Sequence, residues 1–134
     1  MTVKISTDSF RVIAAFERLT KVQPRDCIIT DECVYFLVDS NKIGLAIGKD
    51  GIVIKKVGSV LARPIKLFEY SEDPATMLKN IMPAADNIEV ANKVAKFSLQ
   101  AKDRPAMMGR GGKNIKIMKE FLNRHFGIEE VKIR

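Results

Sequence analysis

The sequence predicts an α+β chain built twice on one plan. Its two halves, residues 1–70 and 71–134, are each expected to be a three-stranded mixed sheet covered on one face by three helices. The first sign is a glycine-rich basic stretch that occurs twice, as Gly48-Lys49-Asp50-Gly51 and Gly109-Arg110-Gly111-Gly112. A shift of 61 residues superposes the two stretches. The same shift lays Ile29 on Val90, Phe36 on Phe97, Ile54 on Ile115 and Leu61 on Leu122, the mark of an internal repeat. The order of patterns is also common to both halves: helix, strand, strand, helix, glycine turn, helix, strand. Two strands joined by a short connection pair as an antiparallel hairpin, and a strand returning after two helices is simplest as a right-handed crossover to a parallel neighbour.

The elements follow in order. Thr7-Asp8-Ser9 offers capping side chains ahead of a helix over Phe10–Leu19, where Val12, Ile13, Phe16 and Leu19 fall at helical spacing. Gln23-Pro24-Arg25 closes that segment. Cys27–Ile29 and Val34–Val38 are strands of a hairpin turned at Thr30-Asp31-Glu32. Asp39-Ser40-Asn41 stops the second strand and caps a short helix to Ile47. After the first glycine turn, Ile52, Val53, Val57, Val60 and Leu61 give a helix to about Ala62, broken by Pro64, and Ile65–Glu69 is a strand. In the second half, Asp73 as N-cap with Pro74 at the first helical position starts a helix to about Met82. Ile88–Ala91 and Lys93–Leu99 are strands, the second with Ala95, Phe97 and Leu99 on its buried side. Asp103-Arg104-Pro105 begins a short helix to Met108. The second turn leads into an amphipathic helix over Lys113–His125, ended by Phe126-Gly127, and Ile128–Ile133 is the last strand.

The bulk properties narrow the function. Of 134 residues 46% are hydrophobic, enough for packed cores and against global disorder. Lys and Arg total 23 against 16 acids, a net charge of +7 that favours an anionic partner such as nucleic acid. No run of about 18 apolar residues is present to span a membrane, and the first residues lack a signal-peptide core, so a cytoplasmic protein is expected. Cys27 and Cys33 with the single, distant His125 do not make a zinc set. Both cysteines read as small apolar residues, although their position across a tight turn leaves a disulfide open. His125, among Phe121, Leu122 and Phe126, reads as a core-edge or helix-end residue.

Catalysis finds no footing. A Walker A loop would need glycine at 107 and Ser or Thr after Lys113, where the chain has Met107 and Asn114. Gly44, Gly48 and Gly51 are spaced wrongly for a dinucleotide fingerprint. No catalytic residues, metal ligands, cofactor or small-molecule substrate are expected. What the glycine stretches do suit is an anionic backbone. Glycine permits positive φ and close approach, the basic residues attract phosphate, and the helix behind adds its positive end.

Ile47-Gly48-Lys49-Asp50-Gly51-Ile52-Val53-Ile54 and Met108-Gly109-Arg110-Gly111-Gly112-Lys113-Asn114-Ile115 resemble the apolar-Gly-x-x-Gly-x-x-Ile signature of the KH RNA-binding domain. With the extra helix and strand ahead of the core, each half looks like the type II arrangement. The pair resembles the two tandem type II KH domains of the NusA family of transcription factors, particularly its short archaeal form. The bacterial members' polymerase-binding and S1 domains have no counterpart in this sequence.

The resemblance implies that each turn clamps the backbone of about four nucleotides of single-stranded RNA, with bases in an apolar groove beside it. The RNA-binding residues it implies are Gly48, Lys49, Asp50, Gly51, Ile54 and Lys55 in the first half. In the second they are Gly109, Arg110, Gly111, Gly112, Lys113, Ile115 and Lys116. Ile47 and Met108 are further groove candidates, and Lys42 and Arg104 extend the basic surface. The expected role is transcription elongation or termination, with single-stranded RNA as partner and RNA polymerase or the nascent transcript complex as a second. Ribosome assembly and protein docking are the alternative roles for the same fold. Asp50 repels phosphate and offsets Lys49, whereas the second turn has no acid between Arg104 and Lys119, so the second half is expected to dominate affinity.

Overall fold

The computed structural model describes residues 7–134, and within them the side chains of all but Thr7, Asp8 and Arg110. The chain divides between Tyr70 and Ser71 into two compact units. The first contains α1 (Thr7–Thr20), β1 (Asp26–Ile29), β2 (Val34–Asp39), α2 (Ser40–Ile47), a 3-10 turn (Lys49–Gly51), α3 (Ile52–Leu61) and β3 (Ile65–Tyr70). The second contains α4 (Pro74–Ile81), β4 (Asp86–Ala91), β5 (Val94–Ser98), α5 (Arg104–Met108), a 3-10 turn (Arg110–Gly112), α6 (Lys113–Phe126) and β6 (Glu130–Ile133). The fold is thus α+β, with two three-stranded mixed sheets and six helices.

In each sheet the second strand is central, antiparallel to the strand before it and parallel to the strand after it. Cys27 lies opposite Phe36, and Phe36 opposite Leu67. In the second sheet Val90 lies opposite Ala95, and Phe97 opposite Ile133. The short β1–β2 connection forces the antiparallel pair, and the two-helix excursion returns the third strand parallel.

The first unit's core forms where α1 meets the centre of its sheet. Val12 and Phe16 of α1 pack with Val34, Phe36 and Val38 of β2, Ala46 of α2 and Val57 of α3. The Phe16 and Phe36 rings stack with centroids 4.0 Å apart. Tyr35 and Leu37, pointing the other way, are buried too, so β2 reads as an unbroken apolar run. In the second unit α4 packs on α6, and β5 buries Ala95 and Phe97 while exposing Lys96. Met77, Leu78, Met118, Phe121 and Leu122 are all fully buried.

The helix ends show where local chemistry sets the chain path. Asp73 caps α4, accepting from the Thr76 hydroxyl at 2.7 Å and the Thr76 N–H at 2.9 Å. Those bonds hold its carboxyl below the usual range, side-chain bond first. Asp39 also sits at a cap position, ahead of α2, but makes no capping bond. Its carboxylate accepts instead from Arg25 Nε at 2.7 Å. α1 already begins at Thr7, so Thr7, Asp8 and Ser9 lie within the helix rather than capping it ahead of Phe10.

β6 starts at Glu130 rather than Ile128 because α6 ends in a left-handed glycine cap, the Gly127 N–H bonding Asn123 O at 3.0 Å. The Ile128 N–H also reaches back, to Leu122 O at 3.4 Å. Asn92 and Lys93, both at positive φ, form the two-residue turn between β4 and β5, so β5 begins at Val94. β4 starts two residues earlier than its apolar run, through an irregularity between Asp86 and Glu89. No disulfide joins Cys27 and Cys33. The register puts Phe36 across from Cys27, while Cys33 sits at the turn, its carbonyl accepting from the Thr30 N–H at 2.9 Å.

Candidate nucleic-acid interface

The two glycine stretches fold into the same turn. In the first, Gly48 has φ 77 and ψ 171, Asp50 φ 55 and ψ 26, and Gly51 φ 73 and ψ 16. In the second, Gly109 has φ 76 and ψ 171, Gly111 φ 65 and ψ 22, and Gly112 φ 74 and ψ 22. Both are closed alike. The N–H of the first glycine bonds back four residues, Gly48 to Gly44 O at 3.0 Å and Gly109 to Pro105 O at 3.2 Å. The last glycine's N–H then bonds the first glycine's carbonyl, at 3.1 Å in one turn and 3.2 Å in the other.

The first glycine of each turn is fixed by the residue five positions on. A Cβ on Gly48 would collide with Val53 Cγ2 and lie 2.9 Å from Val53 Cβ. A Cβ on Gly109 would lie 3.0 Å from Asn114 Cγ, and Asn114 Nδ2 donates to Ala106 O at 3.3 Å, bracing that turn. The combination of φ near 77 with ψ near 171 is in any case essentially reserved to glycine. At the third position the turns diverge: Gly111 occupies its left-handed φ without cost, whereas Asp50 is an L-residue held there.

The last glycine of each turn is the left-handed cap of the helix behind, and neither α3 nor α6 has a side-chain capping bond there. The first N–H groups of a helix have no partner within it, and they carry the positive end of its dipole. The Gly51 and Ile52 N–H groups are spent on Gly48 O and Lys49 O, and Gly112 N–H on Gly109 O, so what each helix start offers an approaching anion is chiefly the positive end of its dipole.

The predicted site residues distribute unevenly about this backbone. Lys49, Asp50 and Lys55 are exposed, and Lys55 Cε lies 3.8 Å from where a Cβ on Gly51 would stand. Lys116 is exposed and Lys113 half-buried on α6, and the side chain of Arg110 lies outside the described part. Ile54 is half-buried against the first core, and Ile115 is only 8% exposed. The open apolar surface beside the first turn is instead Leu45, Ile47 and Ile52, at 55%, 39% and 56% exposure. Sequence periodicity counts Ile52 only within the helical pattern of α3 and does not single out Leu45. It also missed Val53 and Asn114 as the partners of the first glycines; their shared offset within the repeat was the available signal.

No helix among the described residues is long and apolar enough to cross a membrane, and no group of three or more His, Cys, Asp or Glu among them is placed to hold a metal ion.

Comparison with known proteins identifies relatives of this arrangement. A family model, the KH domain, matches residues 12–72. The probable transcription termination protein NusA of Methanocaldococcus jannaschii is 31% identical over 137 residues, covering 98% of this chain and 75% of that protein. The protein of the same name from Halobacterium salinarum is 30% identical over 138 residues, covering 99% of each chain. A solved structure, the crystal structure of APE1850, is 32% identical with a TM-score of 0.77, covering 97% of this chain and 100% of that one.

Proposed function

This chain belongs to the archaeal NusA family of KH proteins, and on that footing we propose that it is a single-stranded RNA-binding factor acting in transcription elongation or termination. Its two units are tandem KH domains of type II. It works in the cytoplasm by binding rather than by catalysis, on the nascent transcript or its complex with RNA polymerase. The relatives' name, transcription termination protein, is what favours transcription over ribosome assembly.

The observation that carries the reading is the shared backbone of the two turns, each with an uncapped helix start behind it. In use, the positive helix ends at Val53 and Asn114 receive phosphate oxygens, the N–H groups of Gly51, Ile52 and Gly112 being spent inside the turns. Lys49 and Lys55 add charge at the first turn, Arg110, Lys113 and Lys116 at the second. Ile54 and Ile115 hold the helices behind the groove in place, and the exposed Leu45, Ile47 and Ile52 offer apolar contact to bases.

A salt titration of single-stranded RNA affinity tests this, since a backbone-led complex weakens linearly in log–log form. A flat dependence would refute it. Asp50→Gly sharpens the test. It removes a carboxylate worth about 1 kcal/mol of repulsion at ~4 Å in water, so affinity is expected to rise about fivefold at low salt. The melting temperature should not fall, because φ 55 suits glycine. An unchanged affinity would take the first turn out of the clamp.

A further inference from the structure

A cleft of about 480 Å3 opens at the end of α2 away from the first turn, lined by Lys21, Gln23, Arg25, Asp39 and Lys42 among others. Its one acid is already matched, since Asp39 bonds Arg25 at 2.7 Å, and the Arg25 guanidinium also lies 4.8 Å from the Tyr70 ring centroid. Lys21 and Lys42 are exposed, and among the described residues neither has an ion pair. The lining therefore keeps two uncompensated positive charges.

The cleft is built rather than incidental. Thr20, only 3% exposed, donates its hydroxyl to Phe16 O at 2.7 Å and accepts from the Val22 N–H at 3.0 Å. Val22 is buried as well, so Lys21 is held between two anchors, at a left-handed φ of 62. The Arg25 N–H bonds Leu37 O at 2.7 Å, fixing the other wall to the central strand. Because Asp39 is given to Arg25, the first N–H groups of α2 are also left without a side-chain cap beside this charge.

We propose that this cleft takes a phosphate group of the single strand held at the first turn, with Lys21 and Lys42 as its direct partners. This rests on the RNA-binding reading. The eight residues of α2 span about 12 Å, so the cleft lies close to the reach of the four nucleotides that a KH turn clamps. A strand leaving the turn along α2 meets Lys42 and then Lys21, while Arg25 stays tethered and shapes the wall.

Lys21→Gly is the cleanest test, because it removes the charge at a φ that glycine prefers. Amide NMR shifts at Lys21, Val22 and Lys42 are followed during titration with inorganic phosphate. Affinities are measured in parallel for a four-nucleotide RNA and for a longer oligonucleotide. The parent should show saturable phosphate shifts that the variant loses. The variant should bind the longer RNA several-fold more weakly at low salt, with a log–log salt slope smaller by about 0.7, the contribution of one phosphate on a single strand. Its affinity for the four-nucleotide RNA should hold, and Lys42→Ala should weaken the longer RNA in the same direction. Absence of phosphate shifts in the parent overturns the site. Phosphate shifts combined with unchanged affinity for the longer RNA mark a free-phosphate site and overturn the strand path alone. Phosphate shifts in a parent that binds no RNA would refute the RNA reading, and the strand path with it.

Discussion

Replacing Arg110 and Gly111 each with Asp is expected to cut single-stranded RNA affinity by at least about a hundredfold at low salt, with the melting temperature near the parent's. The substitution changes the turn by three charge units. At ~4 Å from a phosphate in water each is worth about 1 kcal/mol, and 1.4 kcal/mol is a factor of ten. The melting temperature should fall by only a few degrees: a Cβ on Gly111 meets nothing within 4 Å, and the left-handed φ of 65 costs an aspartate about 1 kcal/mol. Asp50 already occupies the matching place in the first turn, at φ 55 against 65 for Gly111. Affinity that survives the double change would remove the second turn from the interface.

Gly48→Ala should act in the opposite way, through the fold. Its methyl group would overlap Val53 Cγ2 and lie 2.9 Å from Val53 Cβ, a β-branched side chain on α3 with little freedom to withdraw. Overpacking of this kind costs about 1–3 kcal/mol, and the glycine-only backbone region adds about 1–3 more. Together these come to about 2–6 kcal/mol, so a unit of this size should melt at least roughly 10 °C lower. Gly109→Ala should cost less, because its nearest side-chain and backbone contacts, 3.0 Å to Asn114 Cγ and 3.2 Å to Asn114 N, are looser than those at Gly48. Calorimetry on both variants checks the order, and the double change Gly48→Ala with Val53→Ala should recover part of the loss. Equal melting temperatures for parent and Gly48→Ala would show that the turn is not held as described.

Much of this architecture is legible in the residues because it rests on local signals. The matching glycine stretches, the apolar run Val34–Val38, the alternation around Lys96 and the Asp73-Pro74 start each act over a few positions. What stayed hidden depends on partners far along the chain. Asp39 looks like a cap, but Arg25, fourteen residues earlier, takes its carboxylate. Ile52 and Val60 fit a helical stripe, yet only the docking of α3 decides that Val57 faces inward and they do not. Ile128 looks like the start of a strand until its N–H is claimed by Leu122. The left-handed Lys21 carries no sequence mark, being set by the buried Thr20 hydroxyl.

The most direct measurement of the central claim, that the two turns are the clamp, follows backbone amide resonances while single-stranded RNA is added. The largest shifts should fall on Gly48–Val53 and Gly109–Asn114, appear at lower RNA concentration in the second group, and shrink as salt is raised. Shifts that spare both turns while RNA binds elsewhere would contradict the account.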